Sequence, residues 1–198
     1  KILENISFKK LIYISTLSVL SNNKNYKDFP DPSNNYGLSK YISEKLIELH
    51  SRNSKSQFII LRYPTIIGNN SKLNLIDYIY NQCERGKDIE IFSNDDLKRN
   101  YIHVSKAFNP VKKLIDRKNF KSNFELFNIA SSNSMSLKNI VNLIKSYTLS
   151  NSRIDIVKRK QNYNFNVKID ISKSLKFNIL KPMTTKINII DFLNDKKN

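Results

Sequence analysis

The segment Tyr36-Gly37-Leu38-Ser39-Lys40 places a phenol and an ammonium group four residues apart. On a helix, residues at this spacing lie on one face, one turn apart. Free tyrosine is a poor base at neutral pH, but a nearby lysine cation favours the phenolate. Tyr36 and Lys40 could therefore exchange a proton with a substrate hydroxyl. An ordinary surface helix can show the same spacing, so the pair alone is weak evidence of a site.

Hydroxyl residues stand where two apolar runs end. Ser15 and Thr16 close the first run, and Pro64 and Thr65 follow the second. In an open α/β sheet, ligands bind at the carboxyl ends of the strands. We therefore expect these residues to surround one crevice together with the helix that carries Tyr36.

The elements needed to position these residues follow from hydrophobic patterning. Continuous apolar runs at 9–15 and 57–63 predict buried strands, and the polar, proline-containing stretch 21–35 predicts a loop. Apolar residues at helical spacing predict an amphipathic helix over 36–52. Two continuous strands joined by a helix are typical of a parallel sheet that is covered on both faces.

The remainder of the chain predicts further alternation of helices and strands. Pro110 suits a first helical turn, and Ser136 suits an N-cap. The patterns predict helices over 73–85, 110–117 and 136–147, and extended segments over 89–92, 99–104, 124–130 and 154–157.

Composition narrows the classes of function. The 198 residues carry a net charge of +17, which favours an anionic partner, but the basic residues are scattered rather than clustered. A basic nucleic-acid-binding protein is therefore a minor alternative. The single cysteine, Cys83, indicates a reducing compartment, and we expect a cytoplasmic protein without a membrane segment. Two histidines without clustered carboxylates predict no metal site, and His103 is expected to be structural.

Six motifs in order resemble the extended short-chain dehydrogenase/reductase family, whose nucleotide-sugar members are NAD-dependent epimerases, dehydratases and reductases. The chain is similar to this family over nearly its whole length. The matching segments are Leu11–Ser21, Pro32–Glu44, Leu61–Gly68, Arg99–Lys106, Phe127–Ala130 with Ser136–Val141, and Asp170–Pro182.

The resemblance implies an α/β fold. Residues 1–66 would form the C-terminal half of a Rossmann-type NAD(P)-binding domain, with its parallel sheet. Residues 67–198 would form mainly a small α+β substrate-binding domain, with segments near 99–130 returning to the sheet. The family's Gly-rich phosphate-binding turn has no counterpart among the three glycines. We therefore expect an N-terminally truncated fragment that lacks roughly 100 residues and is inactive alone.

The resemblance also implies roles for individual residues. Thr16, Tyr36 and Lys40 would be catalytic, with Tyr36 as the general acid/base. Ser15, Tyr36, Lys40 and Pro64 would contact NAD or NADP. Thr16, Thr65 and Arg99 would bind a nucleotide-sugar substrate, with Arg99 on its diphosphate.

The implied activity is that of a nucleotide-sugar epimerase or a 4-keto-sugar reductase. Leu17 and Ser18 stand where dehydratases of the family carry an acidic pair, so dehydration is disfavoured. Lys106 replaces a usual Asp, and Thr65 a usual Asn. A non-catalytic NAD(P)-binding member is the main alternative, and the resemblance also allows a homodimer.

Overall fold

The computed structural model describes residues 5–20, 30–69, 71, 74–92, 97–118, 120–157 and 169–197. Its strands are β1 Lys10–Thr16, β2 Gln57–Tyr63, β3 Thr65–Ile67, β4 Ile89–Phe92, β5 Lys98–Arg99, β6 Tyr101–His103, β7 Phe124–Asn128, β8 Met135–Ser136 and β9 Ile154–Val157. Its α-helices are α1 Asn35–Ser51, α2 Leu75–Glu84, α3 Val104–Asp116, α4 Leu137–Thr148, α5 Ser172–Lys176 and α6 Thr185–Lys197, and a 3₁₀ turn spans Leu17–Leu20.

The central feature is a parallel three-stranded sheet in the order β1-β2-β7. Ile14 of β1 lies opposite Leu61 of β2, which lies opposite Phe127 of β7. Six of the seven β2 residues are buried, as its continuous apolar run requires of a strand covered on both faces. The connection β1–α1–β2 is the crossover that parallel neighbours need.

Three smaller pairs complete the strand arrangement described by the structure. β3 pairs with β6 and β4 with β9, both in parallel, whereas β5 and β8 are antiparallel. Local side chains start the helices, since Asn34 Oδ1 accepts from the Gly37 amide and Ser136 Oγ from the Asn139 amide. Ser136 is thus the N-cap that the sequence predicts.

Buried apolar residues form three clusters. One face of the main sheet contributes Ile59, Leu61 and Phe127 to a cluster with Leu114 of α3. The other face contributes Phe58 and Ile60 to a small cluster, to which α1 contributes Ile47. The third and largest cluster joins α2, α4 and α6 with β4, and includes Ile79, Ile140, Ile144, Ile189 and Phe192. A domain boundary near residue 66 remains a prediction, although β7 does return to the main sheet.

Most predicted elements occur within two residues of their expected bounds. The strand predictions at 57–63, 89–92 and 154–157 match β2, β4 and β9. Most of the predicted loop 21–35 cannot be compared, because residues 21–29 lie outside the described residues. Residues 30–34 belong to no helix or strand and precede α1.

The predicted helix start at Pro110 is wrong. α3 begins at Val104, with His103 as its N-cap, and Pro110 lies inside it. Proline removes one helical hydrogen bond, but the helix continues because Ala107 and Leu114 are buried in the sheet's core cluster. Tertiary packing therefore outweighs the local signal of the proline.

Candidate active site

A cleft of about 500 Å³ opens at the carboxyl ends of β1 and β2. This is where an open parallel sheet offers a ligand site, because helices cover its two faces. The cleft brings together every site residue predicted from the sequence: Ser15, Thr16, Tyr36, Lys40, Pro64, Thr65 and Arg99. Leu17, Ser18, Lys98, Asn100, Ser134 and Ile169 also border it.

Tyr36 and Lys40 lie on the first turns of α1, on the face toward the cleft. The Tyr36 side chain is 57% exposed, so its phenol is accessible from the cleft. Lys40 Nζ donates a hydrogen bond to the Ile14 carbonyl oxygen at 3.0 Å and lies 4.9 Å from the centre of the Tyr13 ring. An ammonium group has three donor hydrogens, so Lys40 keeps donors for a further acceptor.

The start of α1 lies very close to the loop after β1. A Cβ atom built on Gly37 would lie 2.6 Å from the Ser18 carbonyl oxygen and 3.1 Å from Pro32 Cβ. Only glycine allows this approach, and it places Tyr36 beside the end of β1. The proximity of Tyr36 to Thr16 in the cleft thus depends on a residue without a side chain.

Thr16 and Ser15 have different surroundings, although they are adjacent. Thr16 Oγ1 accepts a hydrogen bond from the Ser18 amide at 3.1 Å and lies 3.2 Å from Ser18 Oγ. This orients the Thr16 hydroxyl at the end of the strand. Ser15 Oγ instead donates to Glu44 Oε1 at 2.5 Å, so the Ser15 hydroxyl is already engaged within the protein.

Arg99 lies at the end of β5 and borders the same cleft as Tyr36 and Lys40. Its Nε is buried and has no hydrogen-bond partner among the described residues. A buried, unsatisfied guanidinium nitrogen is costly, which suits a side chain that completes its bonds with an anionic ligand. The neighbouring Asn100 is held in place, since its Nδ2 donates to the Ser131 and Asn133 carbonyl oxygens at 3.0 Å.

Tyr63, at the end of β2, also borders the cleft but is not suited to proton transfer. Its hydroxyl donates to the Ala107 carbonyl oxygen at 2.8 Å. Burial raises the pKa of Tyr63 far above its usual value, so the phenol stays protonated. Tyr36 is therefore the better acid/base candidate of the two tyrosines.

The sequence analysis did not predict the buried ion pair between Glu44 and Arg62. The Arg62 guanidinium binds the Glu44 carboxylate with Nε at 3.0 Å from Oε1 and Nη2 at 2.6 Å from Oε2, and both side chains are buried. The signal was present, because a charged residue inside the apolar run of β2 requires a partner. Glu44 also continues the four-residue spacing of Tyr36 and Lys40.

Other predicted features can be placed within the described residues. His103 is buried, its amide donates to Asn188 Oδ1 at 2.8 Å, and its Nδ1 lies 2.8 Å from Ser105 Oγ, as expected of a structural histidine. Among these residues, no group of three His, Cys, Asp or Glu could hold a metal ion. No helix in the described ranges is long and apolar enough to span a bilayer.

A parallel sheet flanked by helices, with a cleft at its carboxyl edge, defines an α/β protein of the Rossmann type. The profile of the NAD dependent epimerase/dehydratase family matches residues 2–130. The chain belongs to this family.

Two relatives from Methanocaldococcus jannaschii are similar in sequence. An uncharacterized protein is 22% identical over 183 residues, covering 89% of this chain and 55% of the relative. A putative UDP-glucose 4-epimerase is 23% identical over 145 residues, covering 69% of this chain and 46% of the relative. The chain thus spans about half the length of these relatives.

Two solved structures share the fold. The UDP-glucuronic acid 4-epimerase of Bacillus cereus, in complex with UDP-glucuronic acid and NAD, superposes with a TM-score of 0.85 at 20% identity, covering 98% of this chain and 63% of that one. The UDP-glucose 4-epimerase of Thermotoga maritima, in complex with UDP-glucose, superposes with a TM-score of 0.80 at 19% identity. The match covers 96% of this chain and 63% of the epimerase chain.

Replacing Gly37 with alanine tests the close approach of α1 to β1. We expect Gly37→Ala to lower the free energy of unfolding by about 1–3 kcal/mol, because the new Cβ collides with backbone rather than with a flexible side chain. The measurement is urea unfolding of the variant beside the parent. Ser43→Ala, at a half-buried position of the same helix where a Cβ is already present, is the control and should unfold like the parent. A Gly37→Ala protein as stable as the parent would contradict the close approach.

Proposed function

We propose that this chain forms the catalytic part of an NAD(P)-dependent nucleotide-sugar epimerase. The observation that carries the proposal is the convergence of Thr16, Tyr36, Lys40 and Arg99 on one cleft. These residues supply a proton carrier, a cation beside it, a hydroxyl and an anion-binding group. The family membership and the names of the relatives support the same activity.

Tyr36 is the proposed general base, which takes the proton from a sugar hydroxyl, and the acid that returns it. Lys40 is the proposed cation near this phenol, since it follows Tyr36 by one helical turn on the same face and borders the same cleft. Thr16 donates or accepts a hydrogen bond at the reacting oxygen. The Ser18 amide holds the Thr16 oxygen in place, and the Thr16 hydroxyl donates to Ser18 Oγ, a bond that a substrate oxygen would replace.

The donors at the cleft fit a nicotinamide dinucleotide. Lys40 has unused donor hydrogens suited to ribose hydroxyls, and Tyr36, Ser15 and Pro64 border the same space. When bound, the nicotinamide supplies an acceptor and donor for hydride. NAD is favoured over NADP because several of the similar structures are complexes with NAD.

Arg99 and Thr65 are the proposed substrate contacts. A nucleotide sugar carries a diphosphate, and a guanidinium group binds phosphate oxygens with paired hydrogen bonds. The epimerases of Bacillus cereus and Thermotoga maritima act on UDP sugars, and one Methanocaldococcus jannaschii relative is a putative UDP-glucose 4-epimerase. A UDP sugar is therefore the proposed substrate. Residues 67–198 are the proposed substrate-binding portion, and activity is proposed for the full-length cytoplasmic protein rather than for this chain alone.

Replacing Tyr36 with phenylalanine tests the proton carrier. We expect Tyr36→Phe in the full-length protein to lower kcat at least about a hundredfold, because general acid–base catalysis contributes roughly 10²–10⁴-fold. Binding of NAD should remain, since only the hydroxyl is lost. The assay follows conversion of UDP-glucose or UDP-glucuronic acid to its 4-epimer, with Tyr41→Phe as the control.

The same assay separates epimerase from reductase. An epimerase would reduce NAD and reoxidise the NADH within each cycle, so product would form with no net change in the amount of either form. A reductase would consume one NADH or NADPH per 4-keto sugar. Near-parental turnover by Tyr36→Phe would refute the assignment of the base, and binding of NAD without any turnover by the parent would favour the non-catalytic alternative.

Replacing Arg99 tests diphosphate binding. We expect Arg99→Met to raise KM for the UDP sugar about 10- to 100-fold with a smaller change in kcat, because charge-assisted hydrogen bonds contribute about 1.5–3 kcal/mol. Lys118→Met removes a cation at the opposite edge of the sheet and serves as the control. Equal effects of the two substitutions would indicate a general loss of positive charge rather than a contact.

A homodimer is also proposed, through α1. Four large apolar side chains of this helix are between 45% and 60% exposed: Leu38, Ile42, Leu46 and Leu49. We expect Leu46→Asp to convert a dimeric full-length protein to a monomer, measured by light scattering, because a carboxylate cannot be buried unpaired. Leu149→Asp, at an exposed position outside α1, is the control. A parent that is already monomeric would refute the proposal.

A further inference from the structure

A buried polar cluster joins α1 to both neighbouring strands. The Glu44 carboxylate receives the Arg62 guanidinium of β2 through Nε and Nη2 at 2.6–3.2 Å. It also accepts the Ser15 hydroxyl of β1 at 2.5 Å. Three elements therefore meet at one carboxylate.

The apolar contact of α1 with the sheet is small by comparison. Of its 17 residues, those buried are Gly37, Glu44, Ile47 and Ser51. Ile47 is the one large apolar side chain among them, and the stripe of larger apolar residues faces outward. A single isoleucine restrains rotation or sliding of a helix weakly, because dispersion contacts have no direction.

The ion pair is directional, unlike the apolar contact. A carboxylate meets both Nε and Nη2 of one guanidinium in only a narrow range of positions. Glu44 lies one turn after Lys40 and two turns after Tyr36, on the same face. A shift of α1 by one residue would break the paired contact and turn Tyr36 away from Thr16.

We propose that the Glu44–Arg62 pair is a positioning device, which sets the register of α1 against β1 and β2 and thereby holds Tyr36 and Lys40 at the cleft. Neither residue borders the cleft, so both act through others. The inference rests on the proposed function for its catalytic consequence, but not for its structural one.

A positioning role differs from a stabilising role in a measurable way. Removing one member of a buried pair leaves an unpaired charge, whereas replacing both with apolar residues of similar size is often neutral for stability. The double variant Glu44→Leu/Arg62→Met should therefore fold, yet lack the directional contact. If the pair only stabilises the fold, a folded double variant should be as active as the parent.

The experiment compares four full-length proteins: the parent, Arg62→Lys, the double variant, and Lys45→Ala/Glu48→Ala. The last removes an exposed ion pair from the same helix and is the matched control. Each is measured by thermal unfolding, by kcat and KM for the UDP sugar, and by amide hydrogen exchange over 36–42. Exchange over α4 serves as the internal reference.

We expect the double variant to melt within a few degrees of the parent but to lose at least about tenfold in kcat, since small displacements of catalytic groups are costly. KM should change less than threefold or so, because Arg99 is untouched. Exchange over 36–42 should accelerate about tenfold, with α4 unchanged. Arg62→Lys keeps the positive charge but loses the paired N–H donors of the guanidinium. It should therefore show a smaller loss of kcat and a smaller acceleration of exchange over 36–42.

Several outcomes would overturn the proposal. The proposal is refuted if the folded double variant, or Arg62→Lys, has the same kcat as the parent and the same rate of amide hydrogen exchange over 36–42. A double variant that does not fold, beside a parental Arg62→Lys, would assign the pair to stability alone. If the parent turns over no UDP sugar, the proposed function fails, while the exchange over 36–42 still decides whether the pair positions α1.

Discussion

A carboxylate and a guanidinium buried between a helix and a sheet constrain the rest of this structure. Glu44 and Arg62 are enclosed by protein, and neither charge could remain there without the other. Their contact dictates which face of α1 lies against β1 and β2. The Ser15 hydroxyl completes the carboxylate's bonds, so the end of β1 is tied to the same point.

The cleft follows from this arrangement together with the parallel direction of the strands. Because β1 and β2 run the same way, Thr16 and Tyr63 lie side by side where the strands end. Gly37 lets α1 approach that end closely, and Lys40 reaches the Ile14 carbonyl oxygen beneath it. Arg99 also borders the cleft, at the end of β5, and the adjacent Asn100 is hydrogen-bonded to residues 131 and 133. Two cations, Lys40 and Arg99, therefore border the cleft, which suits a ligand with anionic groups.

Substitutions relative to the family pattern are accommodated locally. Lys106 occupies a position where the family usually has Asp, and its ammonium pairs with Asp191 of α6. This exchange of charge lies in α3 and α6 rather than among the residues that border the cleft. Thr65, in place of the usual Asn, places a hydroxyl at the cleft where the family has an amide.

The sequence by itself predicted most of the helices and strands and the group of residues that border the cleft. The apolar run at 57–63 specified β2, which is buried as predicted. The run at 9–15 also specified a strand, but the prediction that this strand is buried was wrong: in β1 only Ser15 and Thr16 are buried and Ile14 is 44% exposed, because β1 lies at the edge of the described three-stranded sheet. The spacing of Tyr36 and Lys40 specified a shared helical face. Local signals failed at Pro110, where burial of Ala107 and Leu114 carries α3 past the proline. Only the tertiary structure decided how the elements meet, since Glu44 and Arg62 are 18 residues apart and Arg99 lies farther along still. Side-chain periodicity reports which face of an element is buried but not which partner covers it. The contact that orients α1 exists only after the strands and helices have packed, and so does the buried Arg99 Nε, which finds no partner in the part of the chain that the structure describes.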